Sequence, residues 1–344
     1  MPRRINIRRW IEMEEIITLD YGSGGKKTSR LIERMIVPAL NNPVLSELGD
    51  GALLDGFEKL VFSTDSFVVD PIFFPGGDIG KLSVCGTVND IAVCGGVPRY
   101  LSCAFIIEEG FPLSSLEKIV ASIGAAAQKA GVQVVTGDTK VVEKGRGDGI
   151  YINTAGIGFL KYPGLSPKNI QEGDAVIVSG TVGDHGTAVM LSRSGMMRGD
   201  IRSDCAALDK LAQAVLELDA GVRVLRDPTR GGLATTLNEF VEGGALGIEL
   251  QEARIPISGP VGAACDMLGL DPLYCANEGK LLAVVPETET ERVLSAMRVL
   301  PEGENAALIG RVTAEHPGRV VMRTALGGGG ILQKLTGAQL PRIC

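Results

Sequence analysis

Strand-like and helix-like segments alternate on both sides of a proline- and glycine-rich break, which predicts a pair of mixed domains, α/β or α+β in class. At 344 residues and 45% hydrophobic side chains, the chain is long enough for each domain to bury its own core. In the first half, Leu31–Leu40 has a helical pattern, Lys59–Val69 and Tyr100–Glu108 read as strands, and Gly80–Cys94 and Leu113–Ala130 read as helices. Pro112 is an entry signal for the second of these helices. Val132–Thr136 and Tyr151–Gly158 complete the half as strands. The run Lys161-Tyr162-Pro163-Gly164-Leu165-Ser166-Pro167 then breaks the periodicity, and a new strand over Ala175–Ser179 marks the second domain. Helices are predicted near Ala206–Leu218, Gly232–Glu242 and Thr288–Val299, and strands near Gly247–Gln251, Leu281–Val285 and Ala307–Val312. The expected division is an extension over 1–16, domains over 17–163 and 164–326, and a tail over 327–344. Met13 precedes a more regular acidic start, which is why residues 1–12 read as an upstream-start extension.

The charge balance, 34 basic against 41 acidic residues, has no long basic stripe and argues against nucleic acid as the main partner. No apolar run is long enough to cross a bilayer, and the start, with Arg3, Arg4, Arg8 and Arg9, lacks the apolar segment of a signal peptide, so a cytoplasmic location is expected. Seven cysteines without a Cys-x-x-Cys pair, and two histidines, make a zinc site or a disulfide framework a poor fit. Cys85, Cys94, Cys103, Cys265 and Cys275 lie among apolar or small residues and are expected to be buried. Cys344 is different, because it ends the sequence behind Gly327-Gly328-Gly329-Gly330 and a polar stretch, as a thiol on a tether. Extended, the segment from Gly327 onward reaches about 60 Å at roughly 3.3–3.6 Å per residue.

Acidic and glycine-rich motifs upstream suit a magnesium nucleotide. Gly22-Ser23-Gly24-Gly25-Lys26-Lys27-Thr28 runs into a helical pattern, where backbone amides and a lysine would cradle phosphate, although it lacks the spacing of the Walker loop and of the dinucleotide fingerprint. Asp50, Asp65, Asp90 and Asp138 each sit beside glycine, threonine or asparagine at a turn or element end. A single such aspartate is ordinarily a turn residue, whereas four led into by apolar segments supply the short carboxylates that hold Mg²⁺ against phosphates. Lys140 adds a cation two residues beyond Asp138, and Asn89 precedes Asp90. Asp227-Pro228-Thr229-Arg230-Gly231-Gly232-Leu233 reads either as a capped turn or as a further phosphate or metal contact at a helix start. Glu278, in Asn277-Glu278-Gly279-Lys280, enters a strand as a surface glutamate or as a group aimed into a cleft.

These residues resemble the hydrogenase maturation family HypE, within the aminoimidazole ribonucleotide synthetase and selenophosphate synthetase superfamily. The resemblance runs from about Ile17 to Cys344 and includes Gly22–Gly25, Ser63-Thr64-Asp65-Ser66-Phe67, Phe73-Phe74-Pro75-Gly76-Gly77, Gly137-Asp138-Thr139-Lys140-Val141, Asp227–Leu233, Asn277–Leu281 and the terminal Pro-Arg-Ile-Cys. It implies a two-domain aminoimidazole ribonucleotide synthetase-like fold with strands of the N-terminal domain pairing across a homodimer, and a flexible tail. The implied activity is ATP-dependent dehydration of an S-carboxamide on Cys344 to S-cyanate, the group being loaded by the carbamoyltransferase HypF and passed to iron on a HypC–HypD scaffold. The implied roles are carrier for Cys344, base for Glu278 and orienting cation for Lys140. Gly22, Ser23, Gly24, Gly25, Lys26, Asn89, Thr229, Arg230 and Gly231 would contact nucleotide, and Asp50, Asp65, Asp90, Asp138 and Asp227 would hold Mg²⁺. A sister kinase or selenophosphate synthetase is the alternative, but the latter typically has a reactive cysteine near its glycine loop, and no cysteine here precedes Cys85. A non-catalytic nucleotide-binding scaffold is the other alternative.

Overall fold

The structure, a computed structural model, describes residues 16–23, 26–48, 51–195, 201–324, 327–335, 340 and 342–344. Ile16 bridges to Pro112 and Ile17 is fully buried, so the folded part includes a residue assigned above to the extension. Three short helices follow, α1 (Lys26–Leu31), α2 (Val37–Leu40) and α3 (Pro43–Ser46), with a π-helical turn at Ile32–Ile36 joining the first two. The first domain continues through β1 (Leu60–Phe67), a small hairpin of β2 (Phe73–Phe74) and β3 (Gly77–Asp78), α4 (Ile79–Val93), β4 (Gly96–Glu108), α5 (Leu113–Ala130), β5 (Gln133–Val142) and β6 (Ile150–Leu160). Its sheet has the order β1-β6-β4-β5, antiparallel except for β4 with β5.

The two long helices form for different reasons. Leu116, Ile119, Val120, Ile123 and Ala127 recur at helical spacing along α5, which buries that stripe and ends at Gly131 in the left-handed region, φ 69°. α4 is apolar or small on every side because it is covered on every side, by the sheet, by α5 and by the second domain. Its N-terminus is fixed by Asp78, whose carboxylate accepts from the amides of Gly80 and Lys81 at 2.7 and 3.1 Å and from the Ser122 hydroxyl at 2.6 Å.

The second domain comprises β7 (Ala175–Val178), α6 (Asp184–Ser194), α7 (Asp209–Leu216), β8 (Val224–Arg226), α8 (Gly232–Val241), β9 (Gly247–Gln251), α9 (Gly259–Leu268), β10 (Leu282–Val285), α10 (Thr290–Arg298), β11 (Ala307–Thr313), β12 (Val320–Arg323) and β13 (Gly329–Leu332). These strands form one sheet of order β13-β12-β9-β11-β7-β10-β8. β7 and β10 are continuously apolar because both faces are covered: Val176, Val178, Leu282 and Val284 share a core with α8, and Ala175, Ile177, Ala283 and Val285 share one with α7 and α10.

Two expectations are corrected here. Gly329 and Gly330 are not linker but ladder residues, paired with Arg323 and Met322, so the second domain extends through Leu332 and any hinge lies beyond it. Cys94 is exposed, at the C-terminal cap of α4, while Cys85, Cys103, Cys265 and Cys275 are buried as expected. Among the described residues, no helix is long and apolar enough to cross a membrane.

Candidate functional site

Five acids converge where the two domains meet. Asp65 lies on the inner face of β1 against α4, with its Oδ2 3.5 Å from where a Cβ on Gly86 would stand. One helical turn along α4 from Gly86, Asp90 accepts a 2.6 Å hydrogen bond from the Ser63 hydroxyl. Asp227 follows β8 and is buried. Glu278 sits just ahead of β10; it is 2% exposed, and its Oε1 has no hydrogen-bond partner. Asp204 receives the Glu278 amide at 3.1 Å, and its other carboxylate oxygen lies 3.5 Å from Lys280. Asn277 holds the loops of this site together, donating to the carbonyls of Pro228 and Cys275 while its Oδ1 accepts from the amide of Gly183 at 2.8 Å.

The end of the chain is docked at these acids. Cys344 and Arg342 accept main-chain hydrogen bonds from Val68 and Asp70 at 3.1 and 3.2 Å, an antiparallel addition to the segment leaving β1. The Ile343 carbonyl accepts from His185 Nε2 at 2.8 Å, and the Arg342 carbonyl from Arg193 at 2.7 Å. Ile343 buries its side chain in the first domain's core, and Arg342 pairs with Asp148. The Cys344 thiol therefore lies against Glu278, with Asp65 and Arg230 near enough to act on its charge.

The electrostatics follow from crowding acids in a poorly solvated place. Burial, then Asp90, raises the proton affinity of Asp65; burial raises that of Asp90 against the opposing Ser63 hydrogen bond. Asp227 is pushed up to about 7, chiefly by burial and next by Asp90. Burial, then Asp227, Asp204 and Asp65, holds the Glu278 carboxyl far above its ordinary range. Burial, then Glu278, likewise pushes the Cys344 thiol up, so the docked sulfur is a thiol and not a thiolate. An all-oxygen donor set of mutually repelling carboxylates suits a hard dication. Yet among the described residues no three such side chains are arranged as a ligand set. The acids thus fit Mg²⁺ in charge and chemistry, with phosphate oxygens or water left to complete its coordination.

Not every predicted residue joins this cluster. Asp65, Thr154, Cys103 and Gly137 are successive partners across β1, β6, β4 and β5, whereas Asp138 belongs to the next row with Ser66, Asn153 and Ala104. Rows alternate between faces, so Asp138 and Lys140 stand on the outer face, on the edge strand opposite β1, three strand spacings or about 14 Å from it. Lys140 pairs there with Asp138 at 3.2 Å and does not reach Glu278 of its own chain. Both border a cavity of about 410 Å³ that Gly22, Thr28, Glu33 and Gly137 also line. Within one chain, therefore, the register does not bring Asp138 and Lys140 beside Asp65 and Glu278.

Asn89 is corrected as well: it is buried, donates to the Ala206 carbonyl at 3.1 Å and accepts from the Leu208 amide at 2.7 Å, which makes it a staple between domains. Gly22 approaches β5 so closely that a Cβ would come 2.6 Å from the Val141 amide nitrogen, a packing reason for glycine. Ser23 donates to the Asp20 carbonyl at 3.0 Å, and Lys26 is exposed at the start of α1. Thr229, Arg230 and Gly231 form the turn into α8, with Gly231 in the left-handed region at φ 77°. Gly24, Gly25 and Asp50 lie outside the described residues.

A two-domain fold with its acids at the domain junction defines the class. Residues 48–160 match the N-terminal domain of AIR synthase related proteins, and residues 171–323 match the C-terminal domain. Within that class, the chain is 49% identical over 335 residues to the carbamoyl dehydratase HypE of Azotobacter vinelandii, covering 95% of this chain and 97% of that one. It is similar to the crystal structure of the hydrogenase maturation protein HypE in complex with ATP, at 48% identity and a TM-score of 0.92, over 95% of this chain and 99% of that one. A HypE–HypF complex also matches, at 46% identity and a TM-score of 0.78, over 89% of this chain and 99% of that one. The chain belongs to the HypE family.

Proposed function

We propose that this protein dehydrates a carbamoyl group carried on its own Cys344, converting S-carboxamide to S-cyanate with consumption of ATP. The observation that carries the reading is the docked Cys344 thiol beside the buried carboxyl of Glu278, whose Oε1 has no hydrogen-bond partner. The amide oxygen attacks the γ-phosphorus, ADP departs, and loss of one N–H proton leaves an O-phosphoryl imidate. Removal of the second N–H proton forms the third C–N bond as the C–O bond breaks and phosphate leaves. Glu278, whose surroundings give it a high proton affinity, takes a nitrogen proton. Asp65, Asp90 and Asp227 are the residues that would hold Mg²⁺, which would supply positive charge for the triphosphate and for an ionised Glu278.

Because the docked sulfur is kept protonated and covered, loading belongs to an outward state of the tail, in which a carbamoyltransferase of the HypF type reaches it. Transfer of cyanide to iron on a HypC–HypD scaffold is read in the same way. The outer sheet face exposes Leu60, Phe62 and Ile106, an apolar surface that supports a homodimer. A second copy on that face would bring its Lys140 to the site that one chain leaves without it.

Mass spectrometry of the C-terminal peptide after incubation with Mg-ATP, carbamoyl phosphate and the carbamoyltransferase tests the reading. The expected result is an adduct on Cys344, absent in Cys344→Ala, that loses one water only when ATP is present. ATP consumption without any adduct overturns it.

A further inference from the structure

The tail is held by one buried side chain that neither the acids nor the nucleotide motifs account for. His185 is fully buried in α6, with its ring edge-on to Phe74 at a centroid separation of 5.3 Å. Its Nε2 meets the Ile343 carbonyl and its Nδ1 meets Ser203 Oγ, both at 2.8 Å. A carbonyl only accepts, so Nε2 carries the proton. Burial keeps the ring neutral, which leaves Nδ1 bare to accept from the Ser203 hydroxyl. Ser203 is fixed in turn, since its Oγ accepts from the Cys205 amide at 3.0 Å and its own amide donates to Pro75 at 2.8 Å.

The frame behind His185 is the frame that carries Glu278. The Gly186 amide donates to the Ala276 carbonyl at 3.0 Å, and Gly183, capping the same helix, donates to Asn277. From this geometry we propose that His185 is a positioning residue: its Nε2–H, held in that tautomer by Ser203, locks the residue before Cys344 and so sets the sulfur in register with Glu278. The inference rests on Cys344 being the carrier, but it concerns docking and not chemistry. Arg193, from the last turn of α6, takes the preceding carbonyl, so one helix grips two consecutive residues of the tail.

The test is the rate at which iodoacetamide alkylates Cys344, followed by mass spectrometry of the C-terminal peptide beside a thermal unfolding curve. His185→Leu is expected to raise that rate about tenfold, the worth of one lost hydrogen bond. His185→Gln, which keeps a donor, is expected to restore most of the protection. Ser203→Ala frees the ring to take the other tautomer and is expected to fall between them; it decides the matter should His185→Leu fail to fold. Single-turnover dehydration is expected to slow in step with exposure, while loading by the carbamoyltransferase does not. Alkylation at the wild-type rate in a folded His185→Leu or Ser203→Ala protein overturns the proposal. Failure of the dehydration reading would leave the alkylation pattern intact, so the two are separable.

Discussion

The acid cluster and the outer face of β5 are built from similar residues and differ in what surrounds them. Asp65, Asp90, Asp227 and Glu278 are walled in by two domains and a docked tail, and each has its proton affinity raised by burial first. Asp138 and Lys140 lie in the open on an edge strand and satisfy each other. The first region is assembled by one chain, whereas the second leaves charge and apolar surface exposed on the single chain. Carboxylates acquire catalytic character from lost solvent more than from their own chemistry.

The sharpest way to break this comparison is Glu278→Gln, which keeps shape and removes the base. Dehydration of a loaded tail is expected to fall by about 10²–10⁴. Full turnover would remove Glu278 from the mechanism. Next, Lys140→Ala is expected to leave thermal stability within about 0.5 kcal/mol, as for an exposed residue, yet to cripple dehydration if a second copy supplies this lysine. Mixing it with Glu278→Gln after subunit exchange should then recover about a quarter of wild-type activity, since half the dimers are mixed and each has one intact site. No recovery would place Lys140 outside the shared site.

A smaller effect is expected from Phe62→Glu, at a residue 61% exposed in the single chain. It should shift sedimentation toward the monomer and barely alter secondary structure by circular dichroism. The smallest concerns His185, whose burial holds its proton affinity below the ordinary value of 6.5 while Asp204 pulls the other way. The unfolded chain then binds the proton first, so stability should decline as pH falls below about 6.5 and level off once the folded ring also titrates. Apart from Asp204, the ring faces Ser203, the Ile343 carbonyl and Phe74, none of which titrates there. His185→Gln should flatten that part of the stability profile measured by denaturant titration.

Much of this was legible in the residues. Helix α5 runs from Leu113 to Ala130 as its pattern predicts, because proline entry, an apolar stripe and a glycine exit all agree. Asp65, Asp90, Asp227, Arg230, Glu278 and Cys344 come together as their motifs suggested. The opposite placement of Asp138 was hidden, because it depends on register and strand order, which local spacing does not encode. Glycine at 329 and 330 suggested slack, but pairing with β12 overrides composition. α6 escaped notice because it is buried nearly all round and so shows no stripe, and with it went His185. The only hint was a histidine set between Asp184 and Gly186 in an otherwise small and apolar segment.

The docked tail is held at the carbonyls of three successive residues and by the Ile343 side chain, with no hydrogen bond spent on the sulfur's substituent among those contacts. Under the proposed dehydration, these main-chain contacts are the same for free thiol, carboxamide and thiocyanate. Contacts common to every form shift no equilibrium, so they would give the proposed cycle its alignment but not its direction. In that proposed cycle, direction would come from irreversible ATP cleavage at one end and from whatever collects the product at the other.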